Sequence, residues 1–154
     1  QKCDPGLPTF DPMTGAVTAN AIARLGERGI AKSVHDVSDG GALVAIAEML
    51  IAGSDRQNPI GFQLPMESAD LWWGPAALFA EGPARYIVEI EGDIKAGTAD
   101  VEAFQDACFG GTPDEISWSS LGSLKDSGML SGFRDGTSIP VEDLAAAWLT
   151  TLGD

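Results

Sequence analysis

The segment over residues 33–49 constrains the fold more than any other part of the chain. It reads Ser-Val-His-Asp-Val-Ser-Asp-Gly-Gly and continues as Ala-Leu-Val-Ala-Ile-Ala-Glu-Met. An apolar, strand-like segment followed by paired glycines and then by a longer apolar run predicts a strand, a tight turn and a buried helix. The start of such a helix carries unpaired backbone N–H groups and the positive end of the helix dipole. This turn is therefore suited to an anion such as phosphate.

Apolar periodicity elsewhere predicts alternating helices and strands. The proline-rich residues 1–13 predict an extended linker, and residues 14–154 predict one domain. Either Ser38 or Asp39 can cap the central helix. In chain order we expect helices over 14–29, 42–52, 101–109 and 141–152, and strands over 30–35, 60–64, 85–91, 116–124 and 129–133.

The order of these elements indicates the fold class. Hairpin-like neighbours near the C-terminus favour a mixed or antiparallel sheet over a doubly wound parallel one. We therefore predict an α+β fold, in which a sheet of four to six strands carries the central helix and the C-terminal helix. We also expect an exposed apolar surface, formed by Trp72, Trp73 and Phe79, that faces a further domain.

Charge, hydropathy and cysteine content exclude several classes of function. The chain has 23 acidic and 9 basic residues and a net charge of −14, which would repel nucleic acid and anionic lipid. No apolar run reaches the roughly 18 to 20 residues of a membrane span. The two cysteines lack metal-like spacing, so neither a disulfide framework nor a zinc site is expected, and we predict a cytoplasmic location. Because the chain starts at Gln1 without a leader, we expect a fragment of a longer polypeptide.

Three side chains of the central segment are candidates for polar chemistry. His35, the single histidine of the sequence, can act as a base or a phosphate donor, or can be a hydrogen-bonded structural group. Asp36 and Asp39 can hold Mg²⁺, because hard cations prefer carboxylate oxygen. They can equally serve as turn and cap residues.

The turn itself supplies three further candidates. Ser38 either caps the helix or contacts a phosphate group. Gly40 and Gly41 imply a backbone that approaches another group closely or adopts a positive φ. With so little basic charge in the chain, phosphate contact would rely on backbone amides, a metal ion or basic residues from another domain.

The segment over 35–41, together with Ala47-Glu48-Met49, closely resembles the C-terminal domain of phosphoribosylformylglycinamidine synthase, the large ATP-dependent amidotransferase subunit of purine biosynthesis. Residues 79–88 are similar to that family's turn into a central strand. Leu121-Gly122 is similar to a late strand of the family, and residues 144–152 to its final helix. The resemblance covers residues 14–152.

The resemblance implies a fold like the C-terminal domain of aminoimidazole ribonucleotide synthase, placed after a nucleotide-binding domain. In such enzymes ATP, with Mg²⁺, activates the amide oxygen of formylglycinamide ribonucleotide (FGAR). Ammonia from a glutaminase subunit or domain then displaces the phosphate. Most ATP-binding residues of the family lie in the preceding domain, so no catalytic residue is expected here and the isolated chain should be inactive.

Two alternatives remain open. The domain can be a non-catalytic half that stabilises the enzyme or holds a nucleotide permanently. It can also be the equivalent domain of a sibling such as aminoimidazole ribonucleotide synthase or thiamine-phosphate kinase.

Overall fold

The computed structural model describes residues 11–55, 57–65, 78–92, 106, 116 and 118–151. Its elements in chain order are α1 (Pro12–Glu27), β1 (Ala31–Asp36), α2 (Gly41–Gly53), β2 (Gly61–Gln63), β3 (Tyr86–Ile90), β4 (Ser123–Lys125), β5 (Met129–Ser131), β6 (Ile139–Pro140) and α3 (Val141–Thr151). None of the helices in these ranges is long and apolar enough to cross a lipid bilayer.

Contacts divide the chain into two compact units. The first contains residues 1–38 and 82–119, and the second contains residues 39–81 and 120–154. The backbone therefore passes from one unit to the other three times. The single domain over 14–154 stays a prediction, as does the linker over residues 1–10, which lie outside the described ranges, whereas Pro12 and Met13 of the predicted linker lie in α1.

The first unit packs helix α1 against a two-stranded antiparallel sheet. Strand β1 pairs with β3, with His35 opposite Ile87. Leu25 of α1 is buried together with Ala21. The apolar residues packed against this pair are Ile22, Ile30, Ala31, Val88, Ile116 and Trp118. Burial of this face holds α1 on the strand pair that carries His35.

The second unit contains a four-stranded sheet in the order β4-β2-β5-β6, with helices α2 and α3 in contact with each other. Strands β2 and β5 are parallel, and the other neighbouring pairs are antiparallel. The fully buried side chain of Leu130 lies in β5. Helix α2 buries Ala42, Ala45, Ile46 and Leu50, as its apolar sequence predicts.

The predicted α+β class is confirmed, and the four-stranded sheet of the second unit is mixed and within the predicted size; among the described residues, β1 and β3 form a separate two-stranded sheet. The strand predicted over 116–124 is confirmed only at its end, because β4 begins at Ser123, and the described residues 116 and 118–122 are not in a strand. Gly122 precedes β4 with φ +152°, and a Cβ at that glycine would lie 2.3 Å from the carbonyl oxygen of Gln63. The predicted helix over 101–109 lies outside the described residues except for Asp106, which is helical.

Candidate functional site

His35 lies one residue from the end of β1, on the strand's half-buried face. Its side chain is 28% exposed, and its Nδ1 lies 2.6 Å from the carbonyl oxygen of Asp36. A carbonyl oxygen only accepts hydrogen bonds, so Nδ1 carries the hydrogen and donates it. The strand end therefore fixes both the ring orientation and the tautomer of His35.

Asp36 lies on the opposite, exposed face of β1, because burial alternates along the strand. Its side chain is 69% exposed, and its Oδ1 is 3.7 Å from Nδ1 of His35. Within the part of the chain that the structure describes, no group of three His, Cys, Asp or Glu side chains is arranged to hold a metal ion. The assignment of Asp36 and Asp39 to Mg²⁺ thus stays a prediction.

The start of α2 differs from the predicted cap. Gly40 is the N-cap residue, with the left-handed φ of +82°, and no side chain of the cap accepts a hydrogen bond from the helix. The prediction that Ser38 or Asp39 caps α2 is therefore wrong. Capping side chains need an N-cap residue with extended backbone, and a left-handed glycine in that position offers no side chain.

Glu81 takes over part of the capping role at this turn. Its Oε1 accepts a hydrogen bond of 2.9 Å from the backbone N–H of Gly40. A carboxylate is favoured there because the helix start has a partial positive charge. The same position suits phosphate, so an incoming anion would compete with the chain's own carboxylate.

Gly41 is buried and is required by close backbone packing. It adopts φ +76°, and a Cβ placed on it would lie 2.6 Å from the carbonyl carbon of Phe79 and 2.7 Å from the carbonyl oxygen of Leu78. Both neighbours are backbone atoms that cannot move away easily. The close approach expected of Gly41 is thus made, in this structure, to the protein itself.

Sequence reasoning missed the contribution of Leu78, Phe79 and Glu81 to this turn. Glu81 is 41 residues from Gly40, and no local pattern reports a contact at that separation. Phe79 is 60% exposed, as expected for the predicted apolar surface, whereas Trp72 and Trp73 lie outside the described residues.

The six predicted site residues fall into both units. His35, Asp36 and the exposed Ser38 belong to the first unit, and Asp39, Gly40 and Gly41 belong to the second. In the second unit the structure brings Gly40 and Gly41 together with residues 78–81.

Comparison with known proteins gives a consistent set of relatives. A scan against known protein families finds no match. Phosphoribosylformylglycinamidine synthase subunit PurL of Rhodopseudomonas palustris (strain TIE-1) is 49% identical over 73 residues, which cover 44% of this chain and 9% of the relative. The same subunit of Erythrobacter litoralis is 30% identical over 127 residues, which cover 80% of this chain and 15% of the relative.

Solved structures share the fold. Thermotoga maritima PurL complexed with AMPPCP superposes with a TM-score of 0.61 at 16% identity, covering 88% of this chain and 22% of that one. T. maritima PurL complexed with FGAR gives a TM-score of 0.59 at 14% identity, covering 92% and 23%.

The matched segments span only 9% and 15% of the two curated relatives' own length. The sequence matches and the shared fold agree with the resemblance carried by the glycine turn. The chain belongs to the phosphoribosylformylglycinamidine synthase PurL family, of whose members it spans a part.

Proposed function

We propose that this chain is the C-terminal domain of a phosphoribosylformylglycinamidine synthase. The whole enzyme would use ATP and glutamine-derived ammonia to convert FGAR to its amidine. The observation that carries this proposal is the alignment with E. litoralis PurL, which covers 80% of the chain at 30% identity. Support also comes from the likeness in fold to PurL structures complexed with AMPPCP and with FGAR.

The proposal includes the surroundings of the domain. It would follow a nucleotide-binding domain of the same polypeptide and receive ammonia from a glutaminase subunit or domain in the cytoplasm. The isolated chain should not turn over, because it spans only a small part of the relatives.

Within the chain, the proposal assigns phosphate contact to His35, Ser38 and the amides of Gly40 and Gly41. The hydrogen bond from the His35 ring to the Asp36 carbonyl supports the assignment of His35, because a fixed ring holds its second nitrogen in a defined direction. Asp36 and Asp39 would hold the Mg²⁺ that accompanies ATP, since both carboxylates are exposed oxygen ligands.

A second candidate, a structural half without nucleotide at the turn, is favoured by one specific observation. The Gly40 amide already donates to Glu81, and Gly41 is buried against backbone. In this alternative the two glycines serve internal packing, and the domain stabilises the enzyme rather than contacting phosphate.

A chimeric enzyme tests the main proposal. The 127-residue matched segment of E. litoralis PurL is replaced by the corresponding segment of this chain, and ADP release is measured with FGAR, ATP and ammonia. We expect activity that depends on both FGAR and ammonia. A chimera that is folded by circular dichroism yet releases no more ADP than a variant lacking the segment would refute the proposal.

Carboxylate substitutions separate the two candidates. Calorimetry of ADP binding in the presence of Mg²⁺ compares the chimera with its Asp36→Asn and Asp39→Asn variants. If either carboxylate holds the metal, we expect binding to weaken by roughly tenfold or more, because each substitution removes an anionic ligand. Unchanged affinity in both variants would support the structural half instead.

A further inference from the structure

We infer that Glu81 is a positioning residue that fixes the glycine turn, defined here as residues 39–41, for the reaction of the enzyme. This inference rests on the proposed function for its kinetic consequence, through the assignment of Asp39 to the metal-bound nucleotide, and it takes the Gly40 amide as donating to Glu81 and not to phosphate. Its structural part concerns only the second unit, which contains both the turn and residues 78–81.

The first observation is that residues 78–81 hold the turn at two points. Oε1 of Glu81 accepts from the Gly40 amide at 2.9 Å. The backbone of Leu78 and Phe79 lies so close to Gly41 that a single Cβ would overlap it. The first contact is a hydrogen bond to Gly40 and the second is steric contact with Gly41. Together they restrict the backbone of both glycines.

The second observation is that α2 lacks an acidic residue in its first turn. Helix α1 has Asp11 as its N-cap, and α3 carries Glu142 and Asp143 in its first turn. Helix α2 has no acidic residue in its first turn and no side-chain cap. Because a negative charge near a helix start is stabilising, the distant Glu81 adds a hydrogen-bonded carboxylate to that of the exposed Asp39, which precedes the N-cap.

The third observation is that burial of Phe79 does not explain why residues 78–81 stay on the turn. Phe79 is 60% exposed. The charge-assisted hydrogen bond of Glu81 is a polar link between this segment and the start of α2. Its loss frees the turn, and with it the adjacent Asp39, which the proposed function assigns to the metal-bound nucleotide.

Kinetics of the chimera test this role through Glu81→Ala and Glu81→Gln. For Glu81→Ala we expect the KM for ATP to rise roughly tenfold, the size of effect that one charge-assisted hydrogen bond can give, while kcat changes by less than about twofold. Glu81→Gln keeps an acceptor oxygen at the same reach and should recover a large part of the lost affinity. Glu27→Ala is the matched control, because Glu27 is also an exposed glutamate and lies at the C-terminal end of α1, in the first unit.

The outcomes separate this inference from the proposed function. An inactive wild-type chimera refutes the proposed function, and the positioning role is then decided by hydrogen exchange of the Gly40 amide in the full chain. Exchange should be at least about tenfold faster in Glu81→Ala than in the wild type or Glu27→Ala. An active chimera with an unchanged or lower KM in Glu81→Ala overturns the positioning role, as does unchanged exchange at Gly40.

Discussion

At the scale of single residues, Gly41 and Gly136 share a positive φ but differ in what surrounds them. Gly41 has φ +76° and faces the backbone of Leu78 and Phe79 within 2.7 Å of an added Cβ. Gly136 has φ +78° with nothing within 4 Å of that position. Alanine substitutions at the two positions therefore separate the free-energy cost of a left-handed backbone from the cost of steric overlap.

We expect Gly136→Ala to lower the free energy of unfolding by about 1 kcal/mol, because only backbone strain is added. Gly41→Ala should cost about 3 kcal/mol or more, because two backbone segments must also move apart. Urea unfolding measures both values. Equal losses in the two variants would show that Gly41 is not tightly packed against residues 78 and 79.

The need for glycine at positions 40 and 41 could be predicted from sequence, but its cause could not. The paired glycines indicated a turn with unusual backbone, which the positive φ angles confirm. The partner surface is formed by residues 37 or more positions away, and a local pattern carries no information on such contacts. The same limit explains the wrong cap at Ser38 or Asp39, since Glu81 approaches from outside the segment.

At the scale of elements, α1 is capped by its own sequence, unlike α2. The carboxylate of Asp11 accepts hydrogen bonds from the backbone N–H groups of Met13 and Thr14 at 3.2 and 3.1 Å, and from the Thr14 hydroxyl at 2.7 Å. The hydroxyl of Thr14 and these two amides lower the pKa of Asp11. The cap also explains why α1 begins at Pro12, two residues before the predicted start.

This cap makes the stability of α1 depend on pH in a defined direction. A carboxyl group whose pKa is lowered by folding stabilises the protein fully above its unfolded pKa, and the contribution disappears as pH falls through the lowered value. We expect Asp11→Asn to keep most of the cap but to reduce the loss of melting temperature below about pH 4. Part of the loss should persist, because the pKa values of Asp55 and Asp135 are also lowered. An unchanged acid profile in Asp11→Asn would contradict this role of the cap.

Periodicity predicted the longer elements and the short strands β2 and β5, but it predicted β4 only in part and missed β6. Strands β1 and β3 and helices α2 and α3 begin within about one residue of their predicted positions. Strands β4 and β6 have three and two residues, too few for alternation to show. Pro140 closes β6 at the edge of its sheet, where a residue without an N–H group is tolerated.

At the scale of the whole molecule, the chain crosses three times between its two units. Each unit consists of two separate stretches of sequence, so a single cut in the backbone cannot separate one unit from the other. We therefore expect one cooperative thermal transition, with equal calorimetric and van't Hoff enthalpies. Two resolved transitions would show that the units unfold separately and that residues 14–154 are not one domain.

The family and the fold class could be predicted from sequence, and the division of the sheet could not. The resemblance rested on a short motif around the glycine turn, and the comparisons confirm it over most of the chain. Strand pairing, in contrast, joins segments such as β2 and β5 that are about 70 residues apart. Such pairing depends on the packing of the entire unit, which no local window contains.

The central claim is that this chain works as a domain of phosphoribosylformylglycinamidine synthase, and growth of a bacterium that lacks its own synthase tests it most directly. Three genes are compared in medium without purines: E. litoralis PurL, its chimera with this chain, and the same subunit lacking the matched segment. We predict that the first two restore growth and the third does not. Failure of a chimera that is produced as soluble, folded protein, under conditions in which the parent subunit restores growth, would contradict the claim.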